Sequence, residues 1–458
     1  MKNFYYSLFF ALFVFANMLI MRNISTSFLI TATINTFITS FSLFAYSNQS
    51  FSLYKLLNLF ILLFFVLANA FQYSKGVVVT SLFIDFKPED YESFQFLTLA
   101  ILFLYNIIYL YTTRYKIHSF KKTKTTKTLT HSPKNKLSRD RILLFLSIFA
   151  LIAVFLRVGG NPNRLFFRGI QEGEAGGFVS IGSGSQMEAL IFDKIIRPIP
   201  FCCYLLSIFL HTNKKVRVYL FFSMLLAVFP TGLSRNAAAM YWLPVILTRF
   251  TYFQRKNVFV FLMALGILVI FPFLDNFRHY NGEIETEFSL DYLYTMHFDS
   301  SQEFMTAIKM HLITNGRQLL GVLFFFVPRS IWPTKPIGSG AYMASQQFDV
   351  FSNISMPYFG EGYVNFGYYG VFVFTIFIAW FTANLDCNYW YKYRRKKNEY
   401  TLLIGIYLIV LASIIFILRG DLMSSFAYTV GTCLSYLFVF LIATKKIEIS
   451  LNKIGSSK

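Results

Sequence analysis

NGRQLLGVLFFFVPRSIWPTKPIGSGAYMASQQ, from Asn315 to Gln347, and PYFGEGYVNFGYYG, from Pro357 to Gly370, interrupt the hydrophobic second half of the chain. The apolar run Leu319 to Pro328 is too short to span a bilayer, so we expect a re-entrant or interfacial helix there. A proline-rich corner follows and brings cations and aromatic rings to the membrane surface. We interpret the rest of the chain as a frame around this interval.

The composition indicates an all-α polytopic integral membrane protein. Of the 458 residues, 55% are hydrophobic, 20% aromatic and only 14% charged, which exceeds the apolar content of a globular protein. The net charge of +20 does not indicate nucleic-acid binding, because the basic residues fall between hydrophobic segments. The four cysteines form no CxxC or disulfide pattern.

The apolar segments predict a single transmembrane domain, residues 1–458, with about 12 spanning helices. A spanning helix needs about 20 mostly apolar residues. The first segment resembles a signal-peptide core but lacks a small-residue cleavage site, so we interpret it as a retained helix. The predicted helices lie near 5–21, 27–46, 56–71, 94–111, 142–156, 188–210, 218–233, 236–250, 258–274, 365–384, 401–417 and 422–443.

The distribution of basic residues predicts the orientation. With both termini in the cytoplasm, the inner segments hold 27 of the 42 lysines and arginines but only four acids, which satisfies the positive-inside rule. Segment 112–141 is then a basic cytoplasmic loop that anionic lipid headgroups attract. Segments 157–187 and 275–364 become two large outer loops.

Arginines near the outer membrane surface are the first candidates for a functional site. Arg235, in TGLSRNAAAMYW, and Arg419, in FILRGDLMSS, lie between apolar segments with almost no loop to hold them. An ion at membrane depth is costly and indicates function unless it is paired or snorkels to the headgroups. Arg329 follows the short apolar run and would reach the same surface, where Arg317 and Lys335 add positive charge.

The outer loops hold further candidates for substrate binding. Arg164 and Arg168 lie in a glycine-rich segment whose backbone amides could surround an anion, although such sequence is also typical of a mobile loop. Aromatic rings suited to covering sugar faces lie in the second loop: Trp332, Tyr342, Tyr358 and Tyr363.

Several outer acids could act as a general base. Glu361, in an aromatic and glycine-rich segment beside the next helix, is the best candidate, ahead of Asp299, Glu303 and the acids at 283–287. The histidines 279, 297 and 311 are unclustered in sequence, and no metal-ligand spacing such as HExxH occurs. We therefore expect neither a metal site nor a cofactor.

A donor already activated by a lipid diphosphate fits these cations, because a protein active outside the inner membrane has no ATP or nucleotide-sugar supply. Arginine binds phosphate bidentately and stays charged. Stabilising the departing diphosphate is then mainly an electrostatic task for preorganised cations.

Three short motifs carry a resemblance to a known family: Ser-Arg-Asn-Ala at Ser234 to Ala237, Pro-Arg-Ser-Ile-Trp-Pro-x-Lys-Pro at Pro328 to Pro336, and Arg-Gly-Asp-Leu at Arg419 to Leu422. With the predicted topology, they resemble O-antigen polymerases, the Wzy-type polymerases of oligosaccharide repeat units. The enterobacterial common antigen polymerase is a similar branch.

The resemblance implies a membrane fold of the glycosyltransferase C type in the bacterial inner membrane. It implies that a growing glycan on undecaprenyl diphosphate is transferred, without a metal, to a new lipid-linked repeat unit. By analogy, Arg235, Arg329 and Arg419 would hold the donor diphosphate. A chain-length regulator protein is the partner that the resemblance suggests.

Other functions stay open. An O-antigen ligase would share the fold and donor but transfer the glycan to lipid A-core, and His311, six residues before Arg317, would suit the outer-loop histidine expected of ligases. A lipid-linked oligosaccharide flippase would also have about twelve helices, but two similar halves and short outer loops are expected of it. A structural or receptor role would not explain why arginines lie near the membrane.

Overall fold

The computed structural model describes residues 2–20, 24–46, 49–80, 84–122, 136–167, 186–255, 257–271, 273, 293–347, 354–396 and 399–444. Within these ranges the regular secondary structure is entirely helical. The helices are α1 Lys2–Ile20, α2 Thr26–Phe41, α3 Leu53–Phe60, α4 Ala68–Lys75, α5 Pro88–Lys122, α6 Lys136–Arg157, α7 Asn163–Phe166, α8 Gln186–Ile191, α9 Ile199–Phe209, α10 Lys214–Ala227, α11 Arg235–Arg249, α12 Val258–Leu265, α13 Ser300–Lys309, α14 Arg317–Leu323, α15 Ser339–Ser345, α16 Tyr358–Cys387, α17 Thr401–Arg419 and α18 Leu422–Thr444.

The prediction of a helical membrane protein is confirmed. Each of the twelve predicted segments contains helix within the described residues. In the part of the chain that the structure describes, seven helical stretches are long and apolar enough to cross a membrane: Thr26–Phe44, Leu53–Lys75, Pro88–Phe120, Lys214–Gly232, Tyr358–Tyr393, Thr401–Arg419 and Leu422–Thr444. The π-helical turn Ile61–Leu67 joins α3 and α4 into the second of these stretches. The count of twelve stays a prediction.

Two apolar clusters meet at α17. The larger cluster draws on α2 to α5, α13 and α16, and the smaller one on α6, α9, α10, α11 and α18. Leu411 of α17 belongs to the first cluster and Ile409 to the second. The most extensive helix contact in the larger half joins α16 to α5. Helix α17 therefore connects the two halves of the bundle.

Helix α16 is a hairpin with a short first arm. Its backbone breaks at Phe366 and Gly367, where Gly367 has a φ of 63° that favours glycine. The hydroxyl of Tyr358 donates to the carbonyl of Phe374 at 3.2 Å, although sixteen residues of straight helix would separate them by about 24 Å. Residues 358–365 therefore fold back, antiparallel, on the helix that follows. The predicted span 365–384 corresponds to the second arm.

The hairpin break is closed by the segment before α14. The amide of Thr314 donates to Val364 O at 2.7 Å, and the amide of Gly316 donates to Asn365 O at 2.9 Å. The side-chain oxygen of Asn365 accepts from the Leu319 amide at 2.8 Å. The backbone groups that the break frees are thus satisfied within the protein.

The interval 275–364 contains more buried structure than the sequence suggests. Helix α13 lies in it, and its residues from Ser300 to Ala307 are all buried. Phe304 of α13 contacts the rings of Phe65 and Phe94 in the larger apolar cluster. The predicted re-entrant run Leu319 to Pro328 forms the seven-residue helix α14 and a turn. Whether this run re-enters the membrane stays a prediction.

A buried carboxylate joins four helices at the opposite end of the bundle. Asp386 of α16 accepts from the amides of Leu53 and Tyr54 at 3.0 and 3.1 Å, at the first turn of α3. The hydroxyls of Tyr109 and Tyr407 donate to it at 2.9 and 2.7 Å. Asp386 and Lys55 lie between the predicted spanning segments in the sequence. In the structure both are fully buried within helices.

Candidate functional site at the start of α13

Glutamines fix α13 against the first half of the bundle. The side-chain amide of Gln72 in α4 donates to Leu293 O at 3.2 Å and to Phe298 O at 2.9 Å. Gln302 accepts from the amide of Val79 at 2.7 Å and donates to Val77 O at 2.8 Å. Phe298 stacks on Phe64, with ring centroids 4.7 Å apart. The residues that lead into α13 therefore have a defined position between the spanning helices.

Arg235 faces this segment from the first turn of α11. The helix begins there because the hydroxyl of Ser234 accepts from the Ala237 amide at 3.4 Å and caps it. The guanidinium Nη2 of Arg235 lies 2.8 Å from Nδ1 of His297. Arginine offers donors and no acceptor, so Nδ1 of His297 accepts this bond.

Arg419 reaches the same segment from the last turn of α17. Its Nε donates to His297 O at 3.0 Å and its Nη2 to Met296 O at 2.9 Å. Nη2 also forms an ion pair with Oδ1 of Asp299 at 3.3 Å. Two predicted site residues, Arg235 and Arg419, thus converge on His297 from different helix ends.

Two buried acidic residues lie next to the segment that the arginines contact. Asp299 precedes α13, Glu303 lies in its first turn, and both are buried. Burial raises the pKa of Asp299, while Arg419 and the Ser355 hydroxyl oppose that rise. Burial and the neighbouring charge of Asp299 raise the pKa of Glu303 well above its ordinary value. Asp299 is therefore the acid of this pair that ionises more readily.

The predicted cations of the proline-rich corner contact its own carbonyls. Arg329 donates to Lys335 O at 2.7 Å and to Pro336 O at 3.2 Å, and Arg317 donates to Thr334 O at 3.3 Å. The ammonium of Lys335 contacts Phe325 O and Val327 O. Burial and the charge of Arg329 lower the pKa of Lys335. These contacts shape the corner and do not join Arg329 to the His297 segment.

Glu361, the predicted general base, connects this corner to the last hairpin. It is fully buried in the first arm of α16. One carboxylate oxygen accepts from the hydroxyl of Ser339 at 2.6 Å and the other from the amide of Leu422 at 3.0 Å. Beside it, a Cβ on Gly338 would lie 2.2 Å from Oδ2 of Asp421. Its geometry is that of a structural acceptor, and a catalytic role for Glu361 stays a prediction.

The aromatic candidates differ in accessibility. Tyr363 is buried, packs beside Phe304 and donates to Ile308 O at 3.4 Å, so this ring belongs to the core. Trp332 and Tyr342 are half-buried in the corner and in α15. These two can still contact a glycan.

The first outer loop is described in part, and Arg168 lies outside the described residues. Arg164 lies on α7, which packs against the turn before α11. The approach is so close that a Cβ on Gly232 would lie 1.9 Å from Leu165 O. Arg164 is therefore carried by a helix that supports the start of α11.

His297 and Arg197 are residues that the sequence reasoning missed. His297 has no histidine or arginine near it in sequence, and its contacts lie 62 and 122 residues away. Arg197 donates to Ala227 O at 3.1 Å and to Gly232 O at 3.5 Å, bracing the connection that leads to Arg235. A charged residue inside a predicted span was the available signal for Arg197.

Histidine, cysteine and carboxylate side chains form no group of three suited to a metal within the described residues. Comparison with protein-family models, with curated proteins and with solved structures gave no significant match.

Proposed function

We propose that the protein polymerises undecaprenyl-diphosphate-linked oligosaccharide repeat units into O-antigen or a related surface polysaccharide. The observation that supports this proposal is the convergence of Arg235 and Arg419 on His297. Two guanidinium groups held by different helix ends place two positive charges beside one short segment. A diphosphate is the ligand that such a pair suits best.

In this proposal, the arginines stabilise the charge that develops on the leaving lipid diphosphate. Preorganised donors of this kind contribute about 10²–10³ in rate each. His297, whose Nδ1 accepts from Arg235, would carry its proton on Nε2 and act as a further donor. Trp332 and Tyr342 would cover sugar rings.

An O-antigen ligase is the second candidate, and His297 favours it. A histidine near the arginines is expected of a ligase, and Nδ1 of His297 lies 2.8 Å from Nη2 of Arg235. His311 ends α13 in a left-handed conformation and is exposed.

Reconstitution distinguishes the two candidates. The purified protein in liposomes would receive undecaprenyl-diphosphate repeat units, with or without lipid A-core. Oligomers formed without lipid A-core would support a polymerase. Product formed on lipid A-core alone would identify a ligase, and no glycosyl transfer under either condition would contradict both.

The proposed site at the outer face of the inner membrane requires both termini in the cytoplasm. Accessible tags inserted within 122–135 should be protected from outside reagents in intact spheroplasts. Tags within 281–286 should be labelled. The reverse pattern would place the arginines at the cytoplasmic face and contradict the proposed donor.

A further inference from the structure

We propose that Asp299 takes the proton from the acceptor hydroxyl, with Glu303 held neutral behind it. This inference rests on the proposed function and adds the group that activates the acceptor sugar. It follows from the position of two buried carboxylates next to the paired arginines.

His297 is excluded as that base by its contact with Arg235. The guanidinium donates at 2.8 Å to Nδ1, so the lone pair of this nitrogen is occupied. Nε2 then carries the ring proton. A neutral imidazole in this tautomer donates a hydrogen bond and has no lone pair for the hydroxyl proton.

Glu361 is a poor alternative because both of its carboxylate oxygens already accept hydrogen bonds from other parts of the fold. They accept from Ser339 and from the first amide of α18, and the side chain has no exposed surface. A proton acceptor must come within hydrogen-bond distance of the substrate hydroxyl. Glu361 would have to break the contact between the corner and α18 to do so.

Asp299 lies directly beside the proposed diphosphate site. Its Oδ1 is 3.3 Å from Nη2 of Arg419 and accepts from the Ser355 hydroxyl at 2.9 Å. The same guanidinium would contact the leaving group. The side chain of Arg419 is 22% exposed and that of Asp299 is 8% exposed. An acceptor hydroxyl that approaches Asp299 is therefore within reach of a donor sugar whose diphosphate contacts Arg419.

Glu303 lies one helical turn after Asp299. Its Oε2 is buried and accepts no hydrogen bond, while Thr80 forms a hydrogen bond with the side chain. A charge on Glu303 would repel Asp299, so Glu303 holds its proton more tightly than Asp299, which pairs with Arg419. Among the described residues, the other charged or titratable groups that face this pair are Arg419 and His297, and Arg235 contacts the latter.

The transfer step balances with these groups. The acceptor oxygen bonds to the anomeric carbon of the donor as the bond from that carbon to the diphosphate oxygen breaks. The hydroxyl proton moves to Asp299. The electron pair of the broken bond leaves with undecaprenyl diphosphate, whose charge Arg235 and Arg419 neutralise.

The test compares Asp299→Asn with Glu303→Gln in liposomes containing the full-length protein and lipid-linked repeat units. Asp299→Asn should lower the transfer rate by about 10²–10⁴ at every pH. Its binding of undecaprenyl diphosphate should be undiminished, because a carboxylate that competes for Arg419 is removed. Glu303→Gln mimics the neutral acid and should stay within threefold of the wild-type transfer rate at neutral pH.

Asp90→Asn is the matched control, because Asp90 pairs with Lys309 at 2.9 Å on the far end of α13. It should leave transfer unchanged. If Asp299→Asn does not fold, Ser355→Ala serves in its place. Removing the hydroxyl raises the pKa of Asp299, so the acid limb of the rate profile should move to higher pH.

Three results would overturn the inference. Normal transfer by Asp299→Asn would remove its role, and parallel losses of binding and transfer would show a structural role. An equal loss in Glu303→Gln would show that the ionised form of Glu303 is required. Failure of the wild type to transfer any glycan would instead overturn the proposed function, and the assignment of Asp299 with it.

Discussion

Gly362 and Gly370 lie against each other across the α16 hairpin, where a Cβ on Gly370 would stand 1.9 Å from the carbonyl oxygen of Gly362. The hydrogen bond between Tyr358 and Phe374 continues this antiparallel contact. No larger residue fits between the two arms. The hairpin in turn positions Glu361 and the break at Gly367.

Gly370→Ala should therefore destabilise the protein. Overpacking of this kind costs about 1–3 kcal/mol, and here the obstacle is backbone. Gly266→Ala is the control, since nothing lies within 4 Å of its added methyl group. Thermal unfolding in detergent should show a lower midpoint for Gly370→Ala alone, and equal midpoints would contradict the hairpin.

Arg235→Ala and Arg419→Ala should each abolish long glycan chains while the protein stays in the membrane. Each removes donors from the shared site, at about 10²–10³ in rate. Arg255→Ala, at an exposed arginine that contacts Tyr252, should leave the chain-length ladder normal. Normal ladders in both site variants would refute the diphosphate role.

Arg329→Lys should impair function almost as much as Arg329→Ala. The guanidinium of Arg329 spans the carbonyls of Lys335 and Pro336 with two nitrogens, a geometry that a lysine ammonium cannot reproduce. Glycan ladders and protein levels would be measured for both variants. Full activity of Arg329→Lys would show that a point charge suffices.

Glu361→Gln should retain most of the activity, whereas Glu361→Ala should lose stability. A glutamine keeps an acceptor for the Leu422 amide, and the Ser339 hydroxyl can donate or accept. Alanine leaves these groups without their acceptor, at about 1–3 kcal/mol for each unsatisfied one. A stable but inactive Glu361→Gln protein would instead identify Glu361 as the base.

Asp386→Ala should be among the most destabilising changes at the end of the bundle opposite Arg419. Four donors from α3, α5 and α17 would lose their acceptor, and the expected loss is about 3 kcal/mol or more. Tyr407→Phe removes one donor and should cost about 1 kcal/mol. Unfolding midpoints that fall equally in the two variants would argue against a shared acceptor.

The helical class and most helix positions could be predicted, because continuous hydrophobicity is a local property of the sequence. The fold-back of residues 358–365 could not, since it depends on one glycine among several and on contacts with residues 314–319. Helix α13 was also missed. Its sequence SSQEFMTAIK is too polar to resemble a buried helix, and its contacts with Gln72 join residues more than 200 positions apart.

Arg235 and Arg419 could be chosen as candidates from the sequence alone. Each lies between two apolar segments with almost no loop, and such arginines are rare in this chain. Their meeting point could not be predicted, because His297 and Asp299 come from an interval between them in sequence. Glu361 was chosen for its neighbours in sequence, and its hydrogen bonds show a packing role. Sequence thus predicted the candidate arginines, and the structure supplied their partners.

The burial of α13 has a consequence for biogenesis. The ribosome completes this segment before α16 and α17 exist, so Asp299 emerges without the arginine that pairs with it. The nascent chain must keep these polar residues in the aqueous phase until the final helices have inserted. The ion pair between Asp299 and Arg419 can therefore form only after α17 has been synthesised.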